Sequence, residues 1–152
     1  SGSTADAHHI TAPAPGGDGA LRCMQLAIED AGLSSNDIAS INAHGTSTPL
    51  NDAAEAEALS KLFGDNGPPV TSTKGITGHG LGAAGAIEAT AVLLTFIHKQ
   101  IPPTSGFTTP DPEMAEFNLV TGSPQDWEPG PSMSNSFGFG GHNGSIVLAP
   151  IE

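Results

Sequence analysis

The chain has 152 residues, of which 37% are hydrophobic, enough for one compact domain with a buried core. Sixteen acidic residues against four basic ones give a formal charge of −12, which argues against nucleic-acid binding and against an anionic membrane partner. The single cysteine cannot form an intrachain disulfide, and the apolar stretch 89–97 is shorter than the roughly 20 residues of a membrane span. We therefore expect a soluble protein, cytoplasmic or in an organellar matrix.

The first half of the chain predicts a loop followed by alternating helices and strands. Residues 1–15 show no periodic pattern and predict a loop. Apolar residues at helical spacing predict a helix over 16–31, with Gly32 as its stop signal. Alternating and β-branched apolar residues predict a strand over 38–43, and a proline after a threonine predicts the start of the helix 49–63.

The second half predicts a long helix and three further strands. A strand over 70–73 is followed by a glycine- and alanine-rich helix over 80–99. The proline-rich stretch 104–131 has little periodicity. The last predicted elements are two strands and the glycine turn between them: 133–135, 145–149 and 137–141. This order predicts an α/β fold with a mixed sheet covered by helices on both faces.

Three polar, glycine-marked turns each follow a predicted strand, and the first spans residues 42–49. It contains His44, which can hydrogen-bond a substrate carbonyl or exchange protons, among several hydroxyl side chains. An alternative is a capping segment in which Thr46, Ser47 and Thr48 only satisfy free helix amides. On this turn alone, the two interpretations stay open.

The second turn spans residues 72–82 and brings a lysine and a histidine close together. A neutral His79 can donate a hydrogen bond to a carbonyl oxygen that gains negative charge. Glu88 lies nine residues further on, about two and a half helical turns away, and is a candidate ion-pair partner for Lys74. The alternative is a surface Lys–Glu pair beside a capped helix.

The third turn, residues 134–143, alternates phenylalanines with glycines. Glycine interrupts side-chain packing and frees the backbone, so this turn suits close approach of backbone amides to a ligand beside an aromatic wall. Ligand sites of α/β sheets collect beyond the carboxyl ends of the strands. The three turns are therefore expected to converge.

These motifs closely resemble the carboxy-terminal half of β-ketoacyl-[acyl-carrier-protein] synthases of the type I/II elongation class. The resemblance rests on His44 through Pro49, Lys74 through His79 and Asn135 through Gly141, in order along nearly the whole chain. It implies a thiolase-like fold, with residues 1–152 forming the second βαβαβαββ half. The nucleophilic cysteine of these enzymes lies in the amino-terminal half, which is absent here; Cys23, in the middle of a predicted helix, is not its equivalent.

The resemblance also implies a reaction, a decarboxylative Claisen condensation of malonyl-acyl carrier protein with an enzyme-bound acyl chain in fatty acid synthesis. His44 and His79 would both donate N–H bonds to the thioester oxygen of the enolate. Lys74 would orient His79 and form an ion pair with Glu88. The fragment alone is expected to be inactive as an acyltransferase.

Further site residues follow from the same resemblance. Thr46 and Thr48 would contact the pantetheine arm, which the carrier protein delivers, so no cofactor is expected. In the glycine turn, Phe139 would act as a gate, with Gly138 and Phe137 beside the substrate. Asn135 and Glu88 would give structural support. Some relatives hold a monovalent cation, for which the matching residue types are Asn42, Glu88, Ser134 and Asn135.

The expected partners are acyl carrier protein and a second copy of the intact enzyme, which would be a homodimer. Three alternatives stay open at this stage. They are the ketosynthase domain of a polyketide synthase, a non-condensing partner that sets chain length, and a non-enzymatic interaction domain. The presence of His44, Lys74 and His79 favours a condensing enzyme.

Overall fold

The computed structural model describes residues 1–64 and 66–151. Helices and strands alternate over residues 18–71 as predicted, and four strands follow the last helix. In chain order they are β1 (Gly2–Ala5), α1 (Asp18–Asp30), β2 (Ser40–Asn42), α2 (Pro49–Phe63), β3 (Val70–Thr71), α3 (Lys74–Thr77), α4 (Ala84–His98), β4 (Gln100–Ile101), β5 (Gln125–Asp126), β6 (Ser132–Gly138) and β7 (His142–Leu148). Single 3-10 turns at Pro15–Gly17, Ser35–Asp37, Leu81–Ala83 and Phe139–Gly141 join some of them.

The central sheet has five strands in the order β1-β7-β6-β2-β3. β2 pairs in parallel with both β3 and β6, while β7 pairs antiparallel with β6 and β1. The predicted mixed sheet is confirmed. Because β2 and β3 are parallel neighbours, the chain segments that come after them leave the same edge of the sheet.

Helices cover both faces of the sheet. On one face, Met133 of β6 packs with Met24 of α1 and Leu59 of α2 in the hydrophobic core. On the other face, α4 packs against β6, and a side chain at Gly85 would meet Ser136 at 3.4 Å. Successive strand residues point to opposite faces, so even-numbered residues of β6 face α4 and odd-numbered ones face α1 and α2.

Two predictions about the elements are wrong. Residues 1–15 were expected to be a loop, but residues 2–5 form the edge strand β1, paired with β7. The segment is made of small residues, and Gly2 lies so close to α1 that a side chain would strike the carbonyl oxygen of Cys23. The irregular stretch 104–131 also contains β5, which pairs with β4 by Gln100↔Asp126, a contact too distant along the chain for a local pattern to reveal.

Much of the outer face of α4 is apolar and exposed. Ile97 is 73% exposed, and Leu93 and Leu94 are each 47% exposed. By length and apolar composition alone, the segment Leu81–His98 qualifies as a helix able to cross a membrane, a test that core helices of soluble proteins also pass. Glu88, in the middle of this segment, is buried against the rest of the chain.

Candidate active site

The first two polar turns meet at one edge of the sheet. His44 follows β2, Lys74 opens α3 directly after the turn that follows β3, and His79 lies just beyond α3. The rings of His44 and His79 stand edge to face with their centroids 5.6 Å apart. The predicted convergence of these turns is confirmed by this contact.

A buried carboxylate fixes the backbone of the His44 turn. Glu55 of α2 accepts the amide of His44 at 2.9 Å on one oxygen and the amide of Gly45 at 2.9 Å on the other. Burial raises the pKa of Glu55, while the two amides, Asn135 and the charge of Lys74 act in the opposite direction. The Glu55 carboxylate therefore fixes the orientation of the backbone N–H groups of His44 and Gly45.

The imidazole of His44 is neutral at physiological pH. The residue is only 6% exposed, and burial lowers the pKa of its imidazole from 6.5 to about 4, with the charge of Lys74 and the electrostatic interaction with His79 as smaller causes. The ring of Phe137 lies against it at a centroid distance of 6.0 Å. A neutral imidazole at this place can donate one N–H to an oxygen that gains negative charge.

The backbone of Leu81 determines which nitrogen of a neutral His79 carries the proton. The Leu81 amide donates to Nδ1 of His79 at 3.1 Å, so Nδ1 is an acceptor and the proton lies on Nε2. Unlike His44, His79 is exposed. The Leu81 amide is thus one group that orients this ring, and the orienting role of Lys74 stays a prediction.

Lys74 and Glu88 form the predicted ion pair. The ammonium of Lys74 contacts one oxygen of Glu88, and both side chains are almost completely buried. The alternative of a surface pair is therefore wrong. Removing one partner of such a pair would leave an uncompensated buried charge, which costs far more than loss of an exposed pair.

The glycine turn that follows β6 lies beside His44. Phe137 is half-buried against the His44 ring, whereas Phe139 is 78% exposed at the tip of the turn. Gly140 has a φ of 80°, a conformation that side chains other than glycine's disfavour, and its amide donates to the carbonyl of Ile10 at 2.7 Å. Gly138 is the last residue of β6 and is exposed. The gating role of Phe139 stays a prediction.

Thr46 and Thr48 lie in the turn between β2 and α2. Their hydroxyl groups are 2.9 Å apart and hydrogen-bond to each other, and neither caps α2 with its side chain. The alternative that the Thr48 hydroxyl caps the helix is therefore wrong. Thr46 lines a cavity of about 610 Å³, together with Lys74 and His79.

The residues expected to support the site belong to two separate clusters. Asn42 and Ser134 are register partners on β2 and β6 and face α4, which carries Glu88. The side chain of Asn135 points to the opposite face, where its amide donates to Met24 and Glu55 and its carbonyl accepts Ser145 at 2.8 Å. Asn135 supports the Glu55 cluster, and its side chain is not part of a cation site with Glu88.

The sequence reasoning missed Glu55, Ser72 and Thr104. Glu55 lies between two alanines on the buried side of α2. An acidic residue at such a position could have indicated a functional group. Ser72 donates to the carbonyl of Gly45, and its amide donates to the hydroxyl of Thr104. Thr104 comes from the stretch with no periodic pattern, so local sequence gave no signal for its place at the site.

Cys23 lies away from these groups, in the middle of α1 as expected. It is completely buried, and burial raises the pKa of its thiol. Its Sγ contacts the carbonyl of Gly2 at 3.3 Å. A buried protonated thiol is a poor nucleophile.

The mixed sheet and its helices have the thiolase-like fold of ketosynthases. The family described as Beta-ketoacyl synthase, C-terminal domain, matches residues 1–108, and the chain belongs to this family. It is 46% identical over 153 residues to 3-oxoacyl-[acyl-carrier-protein] synthase 2 of Staphylococcus aureus (strain COL), an alignment that covers 99% of this chain and 37% of that protein.

Solved structures with the same fold agree. A β-ketoacyl synthase from Burkholderia phymatum STM815 superimposes with a TM-score of 0.94 at 38% identity, covering 99% of this chain and 36% of that one. A type II polyketide ketosynthase in complex with its acyl-carrier protein and bound to the hexaketide (AntDE:AntF) gives 0.92 at 32% identity, covering 99% and 37%. The chain thus spans a little over a third of the length of these relatives.

Proposed function

We propose that this chain is the histidine-bearing half of a β-ketoacyl-acyl carrier protein synthase, which condenses a malonyl thioester with an enzyme-bound acyl chain. The observation that carries the proposal is the pair of imidazoles 5.6 Å apart, one of them buried with a pKa of about 4. In the neutral state, each ring can donate one N–H to the same small oxygen.

The chemistry begins with loss of carbon dioxide from the malonyl group. The electron pair of the breaking carbon–carbon bond moves into an enolate, whose thioester oxygen becomes negative. His79, with its proton on Nε2, and the neutral His44 would donate to that oxygen. By comparison with oxyanion holes, each donor is worth roughly 3 kcal/mol of transition-state stabilisation.

The carbon–carbon bond of the product forms in the second step. The enolate carbon attacks the acyl carbonyl, the bond from that carbonyl to the enzyme sulfur breaks, and the sulfur leaves as a thiolate. We assign this sulfur to a part of the intact synthase outside this chain, because the only thiol here, Cys23, is buried away from His44 and His79. The intact synthase denotes this chain joined to the amino-terminal part that its relatives possess.

The exposed apolar face of α4 supports the proposal that a second half of the synthase packs against this chain. Leu93, Leu94 and Ile97 form an apolar surface that a soluble protein would cover. The relatives have almost two thirds of their length outside the matched region. A homodimer of the intact synthase is part of the same proposal.

Two pathways use this reaction, and the sequence relationship favours fatty acid synthesis. Identity to the Staphylococcus 3-oxoacyl-[acyl-carrier-protein] synthase is 46%, against 40% for the ketosynthase ApeO with its chain length factor ApeC from Xenorhabdus doucetiae and 32% for the polyketide ketosynthase AntDE:AntF. A non-condensing chain-length partner is less well supported, since His44, Lys74 and His79 are all in place. Acyl carrier protein is the proposed partner in either pathway, with Thr46 and Thr48 contacting its pantetheine arm.

An oxygen-bound monovalent cation near α4 is a further part of the proposal. Asn42 Oδ1 and Glu88 Oε2 are buried without hydrogen-bond partners within residues 1–64 and 66–151, which suits oxygen ligation of a hard cation. Ser134 lies beside Asn42 on the same sheet face. We expect exchange of K⁺ and Na⁺ for a bulky organic cation to lower the melting temperature of the protein; an unchanged value at equal ionic strength would rule the site out.

Acylation tests the proposal directly. The intact synthase and this chain alone are incubated with acyl-acyl carrier protein and examined by mass spectrometry. We expect one acyl group on the intact synthase, condensation after malonyl-acyl carrier protein is added, and no acyl group on the chain alone. Stoichiometric acylation of Cys23, or no condensation by the intact synthase, would contradict it.

A further inference from the structure

The imidazole of His44 is placed by its backbone. Its Nδ1 is buried and has no hydrogen-bond partner in the described part of the chain. Phe137 and His79 pack against the ring, but neither contact is a hydrogen bond that fixes its direction. The groups that hold the backbone at His44 and Gly45 therefore determine where the ring points.

Ser72 is one of these groups, and it binds the carbonyl of Gly45, whose amide Glu55 accepts. Its hydroxyl donates to the carbonyl of Gly45 at 3.0 Å. Gly45 has a φ of 44°, and a side chain there would lie 2.6 Å from Ser72 Oγ. The close approach that glycine permits thus brings the Ser72 hydroxyl directly onto the turn.

Thr104 fixes the backbone of Ser72. The amide of Ser72 donates to the hydroxyl of Thr104 at 3.1 Å, and the amide of Thr104 donates to the carbonyl of Val120 at 2.8 Å. The neighbouring hydroxyl of Thr71 donates to the carbonyl of Pro102 at 2.6 Å. The chain after β4 is therefore anchored on the segment after β3, and through Ser72 on the His44 turn.

We propose that Ser72 and Thr104 are positioning residues for His44, a role that rests on the proposed function. They act through the Gly45 carbonyl, so their loss should affect the step that uses the His44 N–H. Loss of one such hydrogen bond should slow malonyl decarboxylation about five- to tenfold, with little change in KM.

The test compares matched variants of the intact synthase in decarboxylation of malonyl-acyl carrier protein. Ser72→Ala and Thr104→Val remove the two hydroxyls, and Thr104→Ser keeps the acceptor. Ser40→Ala is the control, because Ser40 is equally buried on β2 but its hydroxyl bonds Ser132 at 2.9 Å. Rates are expressed per folded molecule, and melting temperatures are measured alongside.

We expect kcat to fall five- to tenfold in Ser72→Ala and Thr104→Val, about the loss of one hydrogen bond, and to stay near the parent value in Thr104→Ser and Ser40→Ala. Equal kcat in Ser72→Ala and Ser40→Ala would overturn the positioning role. A parent that does not decarboxylate would instead refute the proposed function. The orientation of the His44 imidazole gives a second, direct test. A crystal structure of Ser72→Ala should show this ring rotated, and an unmoved ring would overturn the proposal.

Discussion

At His44, burial and the nearby charge of Lys74 both act against protonation of the ring, which keeps its pKa low. The sequence predicted a histidine at a strand-to-helix turn, but not its burial, which depends on Phe137 and His79 arriving from other elements. The same holds for Glu55, whose partners are two backbone amides eleven and ten residues away. Residue types could be assigned from motifs, whereas their electrostatics required the packed structure.

The lowered pKa of His44 predicts an acid-sensitive fold. Its value of about 4 is below the ordinary 6.5, so the unfolded chain binds this proton more tightly. The resulting stability is complete above pH 6.5 and is lost as the pH falls towards 4. Between pH 7 and 5 we expect the free energy of unfolding to drop about 2 kcal/mol further in the parent than in His44→Asn, measured by urea unfolding. Equal drops would contradict the neutral buried ring.

The amides of His44 and Gly45 predict the outcome of a change at Glu55. Glu55→Gln keeps one acceptor oxygen but places an NH₂ group against the second amide, which leaves that donor unpaired. We expect a loss of about 1 to 3 kcal/mol in unfolding free energy. Glu57→Gln, on the outer side of the same helix, is the control and should cost far less; similar losses would show that the two amides do not depend on Glu55.

Local sequence patterns were sufficient to predict those helices whose start and stop residues lie within or next to the helix itself. α2 begins at the predicted proline and ends before Gly64, as local capping residues indicate. β1 and the β4–β5 pair were missed because short strands of small or polar residues are stabilised by partners far along the chain. The contacts of Ser72 and Thr104 were not predicted for the same reason, because their partners lie far along the chain.

The turn after β2 requires glycine at residue 45. A methyl group there would lie 2.6 Å from Ser72, and the φ of 44° disfavours any other residue. Gly45→Ala should lower the unfolding free energy by about 2 to 4 kcal/mol. Gly82→Ala is the matched control, since no atom of residues 1–64 and 66–151 lies within 4 Å of a side chain at Gly82. Comparable melting temperatures for the two variants would disprove the close contact.

The charge and the exposed apolar surface of the whole chain indicate which contacts the other half of the synthase must supply. With a formal charge of −12, it would repel an acidic carrier protein at close range. Lys74 is buried with Glu88, Lys61 pairs with Glu57 and Asp18, and Lys99 pairs with Glu128. Most of the few cations of this half are thus already engaged by its own carboxylates.

Carrier-protein docking is therefore expected to depend on basic residues of the other half. We predict that reversing the charges of Arg22, Lys61 and Lys99 together in the intact synthase changes carrier-protein affinity less than about tenfold, or ~1.4 kcal/mol. Titration calorimetry at physiological salt measures the effect. A larger loss would place the docking surface on this half.

We expect His44 and His79 together to stabilise the enolate oxygen, and the decarboxylation rate of malonyl-acyl carrier protein measures this contribution. In the intact synthase, His44→Ala and His79→Ala should each reduce this rate by about 100-fold or more, as removal of an oxyanion donor does. His98→Ala, at the exposed end of α4, is the control and should leave the rate unchanged. Decarboxylation near the parent rate in either active-site variant would contradict the claim.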